Sequence, residues 1–274
     1  MIKLEHINLK LYQRRFAMLS NKLYQTPADK KILLSIICYF LYLIVSYFSS
    51  MLKNPFRNII IFIFVSATAF FIFNYVKTLK LLASKNKIRS PFITILFILL
   101  LVCFFAITVH PIENIKNILT TSPLNIFNSL IIALSAGIFE EFLVRLLMLD
   151  GLAQLLKNQK YGLLLAATLS SIIFGFLHLS NLTFQPFNIT CQQIFYATAI
   201  GLMFSFVRLK TNGILLCVIL HSLVDFQPNI NSSGSTMSWG ILLSIFIPIM
   251  LVSLGCILQL NNKLQQLRKF DTNS

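Results

Sequence analysis

Six ionisable side chains fall in stretches of this chain that are otherwise apolar enough to sit in lipid: Glu140, Glu141, Arg145, His178, His221 and Asp225. A charge at bilayer depth costs about 3 kcal/mol or more, so such groups persist where they face a protein interior or a wet cavity and work there. Three carboxylates, two imidazoles and a guanidinium supply what water activation requires. One acid can act as base, the imidazoles can hold a metal or stabilise an oxyanion, and a second acid can orient them.

Spacing gives these residues neighbours, because positions four apart share a helix face. Glu141 stacks over Arg145, while Glu140 is turned about 100° from Glu141 and faces a different partner. Phe174 lies one turn before His178, and His221 one turn before Asp225, so that carboxylate can orient the imidazole or share a metal or water with it. The small residues Ala167, Ser171 and Gly175 repeat every fourth position, a stripe that permits close helix approach and is expected to bring His178 against the helix of the two glutamates. Each piece also has a purely structural reading: an ion pair fixing helix register, a hydrogen-bonded interhelical histidine, a polar pair, a packed phenylalanine. The combination on three helices is what points to a site.

The elements that must position this set are membrane helices. Of 274 residues 57% are apolar, 11% are charged and 26 are phenylalanine, a composition of a polytopic membrane protein. With about 20 apolar residues needed per crossing, eight spans are expected, at 32–51, 58–76, 91–109, 124–149, 161–179, 191–207, 213–225 and 237–260. The fold class is therefore all-α, a transmembrane helical bundle. The seventh span has only about 13 residues and must be tilted or held by its neighbours. His178 lies about 18 residues from the inner end of its span and His221 about 11, a depth difference of roughly 10 Å that tilt must close if the two meet.

Charge sets the orientation. An N-inside start puts Lys3, Lys10, Arg14, Arg15, Lys22, Lys30 and Lys31 in the cytoplasm, followed by Lys77, Lys80, Lys85, Lys87, Arg89, Lys157, Lys160, Arg208, Lys210, Lys263, Arg268 and Lys269. Only Lys53, Arg57 and Lys116 fall outside, so both termini are expected in the cytoplasm. The net charge of +15 is then a basic surface beside anionic lipid and requires no nucleic acid. The first 31 residues are polar and basic, without the apolar core of a cleavable signal, so the first span is expected to serve as the insertion signal. Cys38, Cys103, Cys191, Cys217 and Cys256 form no C-x-x-C pair and read as packing residues. The chain divides into a basic segment 1–31, helices over 32–120, a core over 121–230 that holds the chemistry, and a final helix with basic tail over 231–274.

The motifs resemble those of the CPBP intramembrane proteases, which include the type II CAAX prenyl endopeptidases and the Abi proteins linked to bacteriocin immunity. The E-E-x-x-x-R of that family appears as Glu140-Glu141-Phe142-Leu143-Val144-Arg145, its F-x-x-x-H as Phe174 to His178, and its H-x-x-x-N/D as His221 to Asp225. The segment Gly201 to Gly213 is similar to the family's G-x-x-x-[GS]-x-x-R-x-K-T pattern, so the likeness runs from about Ile126 to Asp225 in three ordered motifs. It implies a bacterial plasma-membrane endopeptidase that cleaves a membrane-associated peptide, prenylated or bacteriocin-related. In that reading Glu140 is the general base, His178 and His221 bind a metal or the oxyanion, Glu141, held by Arg145, supports Glu140 or joins it as a catalytic residue at the site, and Asp225 completes the set with His221. Zinc is the implied cofactor, with Glu140, His178, His221 and Asp225 as its ligands. One departure bears on substrate: the prenyl endopeptidases commonly carry Asn where this chain has Asp225, which donates no amide proton. Two other classes stay open, a non-catalytic immunity protein that binds a bacteriocin or its receptor, and an ion- or proton-coupled transporter, although no inverted repeat is evident. The oligomeric state is left open.

Overall fold

The computed structural model describes residues 26–81, 91–228 and 237–272, and the side chains of 91–94 and 267–272 are not among them. The basic stretch 1–25, with His6 and its five lysines and arginines, and Lys85, Lys87 and Arg89 therefore lie outside the described residues. Among the described residues the chain is helical without strands. In order run α1 Ala28–Ser49, α2 Phe56–Val76, α3 Pro91–Thr108, α4 Pro111–Thr120 and α5 Pro123–Glu141. A π-helical stretch Phe142–Met148 continues α5 into α6 Leu149–Leu155. Then come α7 Gly162–Leu177, a 3-10 turn His178–Thr183, α8 Phe187–Thr211, α9 Leu215–Asp225 and α10 Trp239–Thr272.

Local chemistry sets the breaks. Pro111 disfavours a helical His110, which takes φ 44°, and the chain bends by 43° between α3 and α4. Ser122 caps α5 by accepting from the Asn125 amide, and Pro123 fills the first helical position, where its missing N–H is not needed. Lys77 and Asn212 end α2 and α8 in the left-handed conformation that closes many helices.

Among the described residues, five helices are long and apolar enough to cross a membrane, or six if the bent α3–α4 pair is one span. This makes the chain a multi-pass membrane protein with fewer self-sufficient spans than the eight expected. The fourth expected span is divided by the π-helical stretch. The seventh contracts to the eleven residues of α9, which rise only about 16 Å of the 30 Å hydrocarbon core. Large apolar side chains such as Phe40, Phe70, Ile98 and Leu251 are exposed on the outer faces, as a lipid-facing surface requires.

Two apolar cores lie behind that surface. One joins α7, α8 and α10 through Ala166, Ala167, Met203, Phe204 and Ile257; the other joins α1, α2 and the segment around Phe139, Leu143 and Val144. The small-residue stripe of α7 is spent on α8, not on α5 as the sequence suggests. Gly175 lies against the Ile194 carbonyl, where a Cβ would come within 2.7 Å, and Ser171 Oγ is 3.3 Å from Ser205 Oγ. The helix of the glutamates is closed instead by α9. Gly137 abuts Ser222, and a Cβ there would come within 2.9 Å of the Val218 carbonyl.

One end of the bundle is tied by polar contacts. Arg208 pairs with Asp150 at 3.0 Å and donates to the Leu79 carbonyl, Asn212 accepts from the Leu81 amide, and Asn261 donates to the Lys160 carbonyl. Lys31 is buried beside them. At the opposite end Asn114 donates to the Phe226 carbonyl, Gln192 to the Met237 carbonyl, and Asn181 to Gln193.

Candidate functional site

Between these ends the three motifs meet. Glu141, fully buried, accepts from His221 Nδ1 at 2.8 Å. Because a carboxylate only accepts, the proton lies on Nδ1, which leaves Nε2 of His221 to face 3.5 Å contacts from Glu140 Oε2 and Asp225 Oδ2. Three acids from α5 and α9 thus surround one imidazole. The close approach at Gly137 allows it, since it seats α9 directly on α5.

The second oxygen of Glu141 is 3.3 Å from Arg145 Nε, which is also fully buried. None of the Arg145 nitrogens has a hydrogen-bond partner; its charge is met by Glu141 and by aromatic faces. Arg145 Cζ stands 4.6 Å from the Phe174 ring centroid and 6.0 Å from that of Phe204, within cation–π range. Arg145 lies in the π-helical stretch, where the wider winding leaves carbonyls to other partners; Ser35 of α1 donates to one of them, that of Leu143, at 3.3 Å.

His178 follows the last turn of α7, and its Nδ1 donates to the Phe174 carbonyl at 3.0 Å. Phe174 stands between the two imidazoles, its centroid 5.2 Å from that of His178 and 6.0 Å from that of His221. One aromatic ring therefore contacts both histidines, edge-on in each case. Glu140, His178, His221 and Asp225 all line a single cavity of about 260 Å³. Glu141 and Arg145 stand behind it and do not line it. Glu140, with 28% of its side chain exposed, and Asp225, with 34%, are the carboxylates in reach of a substrate; Glu141, at 0%, is not.

The donor types around this cavity are those zinc accepts. Among the described residues, however, no three of them are gathered as a metal-binding group. Two imidazoles already have Nδ1 committed, to Glu141 and to a backbone carbonyl, which is the outer support that metal-bound histidines also use.

Several lining residues escape motif reasoning. Phe204 packs against His221 at 5.6 Å, and Gln193, Tyr196, Ala197 and Ile200 line the same cavity. The signal for them is the helical spacing 193, 196, 197, 200 and 204, one face of α8. Tyr39 and Tyr42 enter from α1; Tyr39 donates to the Leu177 carbonyl at 2.8 Å, and Tyr42 stacks on Phe139 at 4.4 Å. Nothing in spacing announces these, since they belong to a helix outside the motif-bearing core.

Residues 122–227, somewhat less than half of the chain, match the family model described as type II CAAX prenyl endopeptidase Rce1-like. No curated protein and no solved structure matches the chain. All six ionisable residues of the cluster lie inside the matched stretch, which supports the likeness of this part of the chain to the CPBP/CAAX proteases.

Proposed function

We propose that this protein is an intramembrane endopeptidase that hydrolyses peptide bonds of membrane-associated substrates with a glutamate-activated water. The family match supports a membrane protease of the CAAX type. The observation that carries the mechanism is the division of labour around His221: Glu141 holds Nδ1 from behind, while Glu140 and Asp225 face Nε2 from the cavity side.

In this reading Glu140 takes a proton from water, whose oxygen forms a bond to the scissile carbonyl carbon. The electron pair of the carbonyl moves to its oxygen, and His178 and His221, when protonated on both nitrogens, offer N–H donors to that oxyanion. As the tetrahedral carbon re-forms its carbonyl, the C–N bond breaks and Glu140 returns the proton to the leaving amine. Asp225 and Glu141 keep His221 in place, Arg145 pairs with Glu141, and Phe174 packs against both imidazoles. Eight crossings, counting α5–α6 and α9 as inserted, with both termini in the cytoplasm of a bacterial cell, remain the topology that fits the distribution of charge.

Glu140→Gln is expected to lower kcat/KM by about 10²- to 10⁴-fold, the ordinary contribution of a positioned general base. The assay is cleavage of a prenylated CAAX-type peptide and of a membrane-peptide library in detergent, with size-exclusion profiles confirming that both proteins are equally folded. Undiminished cleavage in the variant would remove Glu140 as base. No cleavage by either protein, together with bacteriocin protection that survives Glu140→Ala, would favour the binding-only immunity role. Zinc is decided by metal content and 1,10-phenanthroline: bound zinc with cleavage lost on chelation assigns His178 and His221 as ligands, whereas unchanged cleavage leaves the side chains as the whole machinery.

A further inference from the structure

The cavity is not placed symmetrically between the two ends of the bundle. Among the described residues, Lys30, Lys31, Lys77, Lys80, Lys157, Lys160, Arg208, Lys210 and Lys263 gather toward the end sealed by Asp150 and Arg208, whereas the opposite end has Lys53, Arg57 and Lys116 with Glu113. By the bias of basic residues toward the cytoplasm, the sealed end is the inner one.

Depth along the helices then locates the cavity. Phe204, at its floor, lies seven positions from Thr211, about 10 Å above the inner end of α8. Gln193 lies eighteen positions from Thr211, about 27 Å up, and His178 sixteen positions from Gly162, about 24 Å up. In a hydrocarbon core of about 30 Å the polar rim of Ser180, Asn181 and Gln193 is therefore near the outer boundary. Below the floor, the paired Asp150 and Arg208 and the buried Lys31 occupy the route to the cytoplasm.

A second, larger cavity of about 690 Å³ adjoins the first and shares Tyr196, Ile200, Val224 and Asp225 with it. Its other walls include Ile107 and Ile189, near the outer ends of α3 and α8, and Met237, just before α10, and it is more apolar than the first.

We propose that the site is loaded from the extracytoplasmic side, and that its substrates are extracytoplasmic peptide segments whose apolar residues beside the scissile bond enter the second cavity. The proposal takes the cleavage chemistry from the protease reading above and adds its sidedness and substrate class. A cytoplasmic C-terminal tail, the substrate that a prenyl-processing enzyme would take from inside, has to cross the sealed end to reach Glu140.

Two readouts separate this proposal from the protease reading on which it rests. With the accessible Cys103 and Cys191 changed to serine, Thr183→Cys beside the rim and Asn158→Cys at the basic end are tested in turn with a membrane-impermeant maleimide. Thr183→Cys is expected to label in intact cells and Asn158→Cys only after permeabilisation; any other pattern overturns the sidedness. The second readout uses the unaltered protein in sealed vesicles of each orientation, with a membrane-impermeant quenched peptide library rich in apolar residues. Cleavage is expected in right-side-out vesicles and lost in inside-out ones. Cleavage confined to inside-out vesicles sinks the sidedness and leaves a protease, whereas the expected labelling without cleavage from either side sinks the protease and leaves the sidedness.

Discussion

At the level of single residues, the cluster is built on a buried pair whose members depend on each other. Arg145 has no hydrogen-bond partner, so its removal leaves the buried Glu141 without a counter-cation, and Arg145→Ala is expected to cost about 3–5 kcal/mol. Thermal unfolding in detergent reads this directly, and adding Glu141→Gln should recover part of the loss because the stranded charge disappears. Phe174→Leu is a different kind of change. It keeps an apolar group but loses the ring between the imidazoles and under Arg145, so cleavage should fall more than stability does, read as kcat/KM beside melting temperature. The neighbours legible in the sequence are those four positions apart: Glu141 with Arg145, Phe174 with His178, and His221 with Asp225. The hydrogen bond from His221 to Glu141 joins positions 80 apart, and no local spacing can announce it.

Among the elements, the decisive contact is α9 on α5. Gly137→Ala should lower stability by about 1–3 kcal/mol, because a Cβ there meets backbone and cannot be accommodated by a flexible side chain. Since α9 carries His221 and Asp225, cleavage should fall with it, and thermal melting with activity on the same preparation checks both. The small-residue stripe of α7 is readable in the sequence, but which helix it meets is not, because a stripe of small residues admits any close partner. The neighbour is α8, which offers Gly201 and Ser205 in return. Hydropathy likewise finds apolar segments well and misjudges their continuity. It cannot see that Pro111 bends one span, or that the helix of the glutamates widens as it passes them.

For the molecule as a whole, both ends are tied by polar contacts, but the buried ion pair of Asp150 and Arg208 belongs to one of them. Asp150→Ala should cost about 3 kcal/mol by leaving Arg208 buried and unpaired, while the cleavage rate per folded molecule holds, since the pair lies away from the cavity. Urea or thermal unfolding beside active-site titration separates the two effects. Charge counting along the sequence sets an expected direction of the chain across the membrane; the position of the cavity requires the packed helices. The π-helical stretch Phe142–Met148 has a consequence for how this chain can change. It works as a phase adaptor between two anchors set at different clock positions on one continuous rod, Glu141 turned to α9 and Asp150 turned to α8. Deleting one residue, for example Leu147, removes the extra residue that the wide turns absorb, so a return to ordinary winding leaves the two anchors close to their present clock positions. Such a chain is expected to keep both its catalytic centre and the Asp150–Arg208 pair, and activity measured beside melting temperature checks this.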